Sequence, residues 1–275
     1  MSRLRIAFLT PTAAVMGLLF FAPLLIVFAY SFLTRGAYGG VMRPWTLEAY
    51  DRVFDPLYGH ILWRSLWIAA VSTFLCLALG LPLALYIARS ASYKTLLLNL
   101  VMLPFWTSFL IRTYAWMFLL RDTGLINTAL ESLHLIRAPF PLLFNSGAVI
   151  LGLVYGYLPF MVLPLYATLE KLDPSLLDAA ADLGASPGIS LWRVIIPLSK
   201  SGMIAGCLLV FIPCLGAFLT PDLMGGGKTV MIGNLVQNQF TTARDWPFGA
   251  AISLWLMVLV LFVTAFLGRK GEELI

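Results

Sequence analysis

From Ser146 to Thr168 the chain carries no charged side chain. A stretch that long and that apolar suits the hydrocarbon core of a bilayer, where a helix satisfies every backbone group within the segment. The rest of the chain agrees: 60% of its 275 residues are hydrophobic and 11% are charged. That balance is far from a soluble domain and leaves room for six spans of about twenty residues each. The expected fold is all-α, a polytopic membrane protein of six transmembrane helices forming a single transmembrane domain over residues 1–275. The spans are placed at 6–33, 65–88, 96–120, 146–168, 201–219 and 248–268. The first is too long for the core of a signal peptide and is read as a retained helix. The net charge of +5 is scattered, which argues against a nucleic-acid surface. Cys76, Cys207 and Cys214 all fall in apolar runs and read as small core residues, with no disulfide or metal role. His60 and His134 stand alone, without metal-ligand spacing.

One polar stretch interrupts the apolar pattern. Residues 170–200 hold two helix-start signals, Asp173-Pro174 and Ser186-Pro187. Gly184 stands where a left-handed residue ends the first helix. Two short helices at an angle are expected, too short and too polar to span a bilayer. On a helical wheel Leu176, Leu177, Ala180, Ala181, Leu183 and Gly184 share one face, with Asp178 and Asp182 opposite. Small residues on that face let a partner approach closely, as a plug enters a groove.

Asp178-Ala179-Ala180, then Gly184, then Val194-Ile195-Ile196-Pro197 resembles the signature loop of ABC importer permeases: Glu-Ala-Ala, three residues, Gly, nine residues, Ile-x-Leu-Pro. Asp replaces Glu, Val replaces Ile and Ile replaces Leu, while the geometrically restrictive Gly184 and Pro197 are intact. The likeness extends from about residue 45 to 251. Leu103-Pro104-Phe105-Trp106-Thr107-Ser108, Leu158-Pro159-Phe160, Ile232-Gly233-Asn234-Leu235 and Asp245-Trp246-Pro247-Phe248-Gly249 look like segments of the first permease of spermidine/putrescine-type importers. The resemblance implies a type I ABC importer permease fold. It also implies an ATP-driven importer of a small amine such as spermidine or putrescine, or of an aminobutyrate or opine. The partners it implies are a second homologous permease, an ATPase dimer docking on Asp178, Ala179, Ala180, Gly184 and Pro197, and an external substrate-binding protein. No cofactor is expected on this chain, since ATP and Mg would sit on the ATPase. No metal site and no catalytic centre are expected either, and membrane lipid surrounds the spans.

Lys and Arg set the orientation. With the amino end inside, Arg3, Arg5, Arg89, Lys94, Lys171, Arg193, Lys200, Arg269 and Lys270 fall on internal segments, which are shorter than the external ones. Basic density therefore places both termini in the cytosol, across the cell inner membrane, with residues 170–200 on the same side. Within the third span, Arg112 is a costly intramembrane charge. It lies sixteen residues of helix beyond Leu96, a climb of about 24 Å. With Trp106, Tyr114, Trp116 and, on the fourth span, Tyr157, it is a candidate pathway or gate residue. Snorkelling to the outer interface, towards Asp122, stays open beside that reading. Met224-Gly225-Gly226-Gly227-Lys228-Thr229 lacks the first glycine of a P-loop and follows no strand, so it reads as an external flexible loop near the substrate entrance. A secondary transporter would share the spans without needing the signature loop, and no internal repeat supports one. A membrane enzyme would need a catalytic cluster, which the scattered carboxylates and histidines do not supply.

Overall fold

The computed structural model describes residues 3–90 and 92–272, with backbone alone at 3–9, 12–13 and 266–272. Arg3, Arg5, Arg269 and Lys270, which entered the orientation argument, thus lie outside the described side chains, and residues 1–2 and 273–275 outside the described chain. The described chain divides into two compact units, Met1–His60 with Leu235–Val260 and Ile61–Asn234 with Leu261–Ile275.

The first unit begins with α1 (Arg3–Tyr30), followed by the antiparallel strands β1 (Leu33–Arg35) and β2 (Val41–Trp45) and the short α2 (Glu48–Val53). The hairpin is the departure from an all-helical chain among the described residues. It is tied to the turn before the last helix: Arg35 Nη2 donates to the Ala243 carbonyl at 2.8 Å, and Gly40 N–H donates to the Arg244 carbonyl at 2.8 Å. Beside it, Asp245 is 2% exposed and serves two partners. It accepts from Arg52 Nη1 at 2.8 Å and from the Phe248 N–H at 3.2 Å, where it caps the last helix. Burial alone would lower the Arg52 pKa, but the hydrogen bond and charge of Asp245, with help from Tyr58, outweigh it and the value is raised. The guanidinium also lies 4.1 Å from the Phe248 ring centroid.

Most of α3 (Pro56–Arg89) lies in the second unit. This helix starts nine residues before the expected Ser65, because Asp55 Oδ1 accepts the Leu57 N–H at 2.8 Å and Pro56 sits at the first helical position. Then come α4 (Lys94–Met102), a 3₁₀ turn (Leu103–Trp106), α5 (Phe109–Leu120), α6 (Leu125–Ser132) and α7 (Ser146–Leu169). The third expected span is therefore broken. Lys94–Trp106 meets Phe109–Ser132 at 89°. Pro104 withholds an N–H, its carbonyl is taken by the Thr107 hydroxyl at 2.8 Å, and Thr107 is extended. Counting rise along one straight helix from Leu96 to Arg112 does not survive that bend. Asn127, fully buried, ties together the connections before and after α6, donating to the Arg121 and Phe140 carbonyls and accepting the Phe140 N–H at 3.0 Å.

The polar loop contributes α8 (Ser175–Asp182), α9 (Pro187–Ser190), a π turn (Leu191–Ile195) and α10 (Ile196–Leu198), and α11 (Lys200–Gly216) follows. The core of this unit is α7 against α11, with Val149, Leu153, Met161, Val162, Leu165, Val210 and Leu215 buried. Gly202 and Gly206, four residues apart, permit the approach: a Cβ at either would strike Thr168 and the Pro164 carbonyl, or Met161. The fifth expected span also ends early, at Gly216 rather than Leu219. Ala217 is extended, and α12 (Leu219–Gly225) begins anew. The chain continues into α13 (Ile232–Thr241) and α14 (Trp246–Glu272). Among the described residues, Pro56–Arg89, Ser146–Leu169 and Trp246–Ala265 are long and apolar enough to cross a bilayer; the two bent pairs add two more if each is one span, and Ala14–Tyr30 is shorter.

Candidate functional site

The loop at 170–200 is built almost wholly from its own residues. Asp173 Oδ1 accepts the Ser175 N–H at 2.9 Å, and that bond holds the Asp173 carboxyl below its ordinary value. It satisfies the first N–H of α8, which begins at Ser175, one residue later than the Asp173-Pro174 signal suggests. At the other end Gly184 takes φ +81°, its N–H donating to the Ala181 carbonyl at 2.8 Å and the Ala185 N–H to Ala180 at 2.9 Å. This is the paired bonding of a left-handed helix stop, which glycine adopts without strain. Ser186 Oγ accepts the Ile189 N–H at 3.4 Å and opens α9. Pro197 explains the π turn before it. Its ring would meet the Arg193 carbonyl of a regular helix, so the backbone widens and Ile196 N–H reaches back to Leu191.

The apolar face of α8 is split. Leu177 and Ala180 are half-buried, whereas Leu176 is 44% and Leu183 89% exposed. Asp178, Ala179 and Pro197 are exposed, as is Trp192. Leu177 and Asp178 line a cavity of about 480 Å³ with Leu85, Arg89, Lys94 and Ile195. At its edge Lys94 Nζ lies 2.7 Å from Glu170 Oε1. The bond lowers the Glu170 pKa and raises that of Lys94. The Arg89–Lys94 turn and the loop thus share one end of the unit.

Of the five candidate pathway residues, the structure leaves Trp106, Tyr114 and Tyr157 apart and brings Arg112 and Trp116 together. These two, one helical turn apart on α5, line a small cavity with Phe109, Thr113, Gly152, Tyr155 and Gly156. Trp116 packs edge-on to Tyr155 at 5.5 Å. Arg112 Nε and Nη1 are buried without a hydrogen-bond partner, and the guanidinium lies 5.5 Å from the Phe109 ring centroid. Asp122 makes no ion pair with it: the pairs among the described residues are Arg52–Asp245 and Lys94–Glu170. Trp106 is 79% and Tyr114 44% exposed, away from that cavity. Tyr157 lines a second cavity, of about 280 Å³, with Phe109, Pro213, Gly216, Ala217, Phe218, Leu219 and Thr220.

That second cavity sits where α11 breaks, and sequence reading missed it. Asn234, 6% exposed, pins the break: its Nδ2 donates to the Phe218 carbonyl at 2.8 Å and to Asp222, while its Oδ1 accepts the Met231 N–H at 3.1 Å. Gly233 lies so close that a Cβ there would overlap the carbonyls of Gly216 and Ala217. Gly233-Asn234 was the available signal, a small residue beside a polar one inside an apolar context. Gly226 and Gly227 take positive φ, and buried Thr229 receives Arg64 Nη2 at 3.2 Å.

Comparison with known proteins gives this geometry a family. Residues 77–269 match the model for the binding-protein-dependent transport system inner membrane component. The chain is 46% identical over 265 residues to the spermidine/putrescine transport system permease protein PotB of Haemophilus influenzae, covering 93% of each chain. It is 47% identical over 241 residues to PotB of Escherichia coli K12, covering 87% of this chain and 88% of that one. It shares the fold of a bacterial alginate ABC transporter solved with an alginate pentasaccharide-bound periplasmic protein. The TM-score there is 0.79 at 17% identity, over 98% of this chain and 94% of the other. Fold and near-full-length relatives agree, and the chain belongs to the family of binding-protein-dependent transport system inner-membrane components, as a permease of the type I ABC importer fold.

Proposed function

We propose that this chain is the permease subunit of an ATP-driven importer of a small amine, a polyamine such as spermidine or putrescine. The observation that carries the reading is the 46–47% identity, along most of both chains, to permeases named for those two amines. The loop at 170–200 supports the coupling role, because it exposes Leu183 at 89%, Trp192 at 71% and Leu176 at 44%. On this reading Asp178, Ala179, Ala180, Gly184 and Pro197 seat the ATPase, which carries ATP and Mg. A second permease completes the path, an external binding protein delivers the solute, and both termini face the cytosol. Arg112 with Trp116 forms a gate that fastens α5. Its buried Nε and Nη1 find their acceptors in carbonyl or carboxylate groups of the second permease.

The test is uptake by proteoliposomes holding this chain with its partner subunits. ATP-driven accumulation of labelled spermidine or putrescine, outcompeting 4-aminobutyrate, is expected. Preference for 4-aminobutyrate would move the substrate to the amino-acid-like class, and accumulation without ATP would point to a secondary transporter.

A further inference from the structure

We propose that an ammonium group of the transported solute is held within this chain at the carboxyl end of α11, in the cavity walled by Phe109, Tyr157 and Phe218. The proposal rests on the reading of the chain as an amine importer and names the place where the amine is recognised. The first support is the state of the helix end. α11 stops at Gly216, and the Ala217 N–H turns to the Cys214 carbonyl at 3.3 Å. The Pro213 carbonyl is left with the Tyr157 hydroxyl at 3.5 Å, a long bond. Unspent carbonyls at a helix terminus carry the negative end of the helix dipole, which favours a cation.

The walls are the second support. Phe109, Tyr157 and Phe218 line a cavity of about 280 Å³, and Phe218 is 44% exposed. Aromatic faces attract ammonium groups, the more so away from bulk water. The third support is Thr220. It lines the same cavity, is 1% exposed, and its hydroxyl has no hydrogen-bond partner. A buried hydroxyl rarely goes unmatched without reason. An ammonium N–H given to Thr220 Oγ1 and a second given to the Pro213 carbonyl would satisfy both. Arg112 lines the neighbouring small cavity and not this one. The interruption pinned by Asn234 is thereby more than a packing fault, since it leaves the Pro213 carbonyl without the Ala217 N–H that a continuous helix would supply.

The assay is ATP-driven uptake of radiolabelled putrescine and spermidine by the full transporter in proteoliposomes, with subunit assembly and basal ATP hydrolysis read in parallel. Phe218→Leu keeps the apolar bulk and removes the ring, so uptake falls about tenfold with subunit assembly unchanged. Phe218→Tyr keeps the ring and transports like the parent. Thr220→Val removes the unmatched hydroxyl at constant shape, so uptake falls severalfold while thermal stability holds or rises. Parental uptake in Phe218→Leu, or equal loss in the Leu and Tyr variants, overturns the site. Absence of amine uptake in the parent itself overturns the amine reading on which the site rests.

Discussion

The loop at 170–200 and the break at 216–222 are both interruptions of helix, and they are built in opposite ways. Each cap of the loop comes from a residue within three positions of the N–H or carbonyl it serves: Asp173 for Ser175, Ser186 for Ile189, Gly184 for the stop. The break is held from a distance, by Asn234 sixteen residues away from the Phe218 carbonyl it binds. A locally capped loop keeps its shape when docked or released, which suits an element that transmits force. A remotely pinned break depends on the packing of the whole unit, which suits a site that must respond to it.

Substitutions separate the two. The largest loss of function is expected for Gly184→Val, because a β-branched residue at φ +81° is strained by about 1–3 kcal/mol. The chain inserts normally, while ATPase association or substrate-stimulated hydrolysis disappears. Unchanged coupling in that variant would remove the loop from the mechanism. Next comes Asn234→Ala, which strands the Phe218 carbonyl and the Met231 N–H in a buried site. A loss of about 2–3 kcal/mol is expected, read as a lower thermal midpoint in detergent, whereas Ser186→Ala in the loop costs about 1 kcal/mol or less. A smaller drop for Asn234→Ala than for Ser186→Ala would reverse the comparison.

Arg112 gives a third, intermediate effect. Lys keeps the charge but loses the planar fork of donors, so Arg112→Lys and Arg112→Gln both raise substrate-independent ATP hydrolysis. A silent Lys variant beside a defective Gln one would show that charge alone matters. The smallest effect belongs to the exposed Lys94–Glu170 pair. The Glu170 pKa is lowered from 4.5, so its contribution is present above that value and fades as pH falls through the folded pKa. The Lys94 pKa is raised from 10.5, so its contribution is present below that value and fades as pH rises through the folded one. Lys94→Gln therefore differs slightly from the parent in thermal midpoint between about pH 4.5 and 10.5, and the difference fades as pH falls through the folded Glu170 pKa or rises through the folded Lys94 pKa. A difference that persists once Glu170 is fully protonated would assign Lys94 another partner.

The same contrast governs what could be read from the chain. The caps of the loop were legible because Asp-Pro, Ser-Pro and Gly act on their immediate neighbours. The long helices at 146–169 and 246–272 were legible from apolar length. Pro104 was visible, but the bend of 89° was not, since prolines at 159 and 164 leave α7 continuous while the carbonyl of this one is taken by Thr107, whose extended backbone ends the 3₁₀ turn. Trp116 and Arg112 share a cavity because four residues is one helical turn, whereas Tyr114 between them faces out. Thr220 and Phe218 were illegible as a site. Their meaning depends on where α11 stops, and Asn234 decides that from another segment.

The coupling role of the loop is tested most directly by a cross-link. Leu183 is 89% exposed at the tip of α8, while Cys76 and Cys214 are buried. With Cys207 changed to Ala, Leu183→Cys in the assembled transporter should cross-link to the ATPase subunit through a short bis-thiol reagent, with a yield that changes when ATP is added. An assembled, transporting complex in which Leu183→Cys never reaches the ATPase, or is labelled by an impermeant reagent from the outer face, would contradict the account.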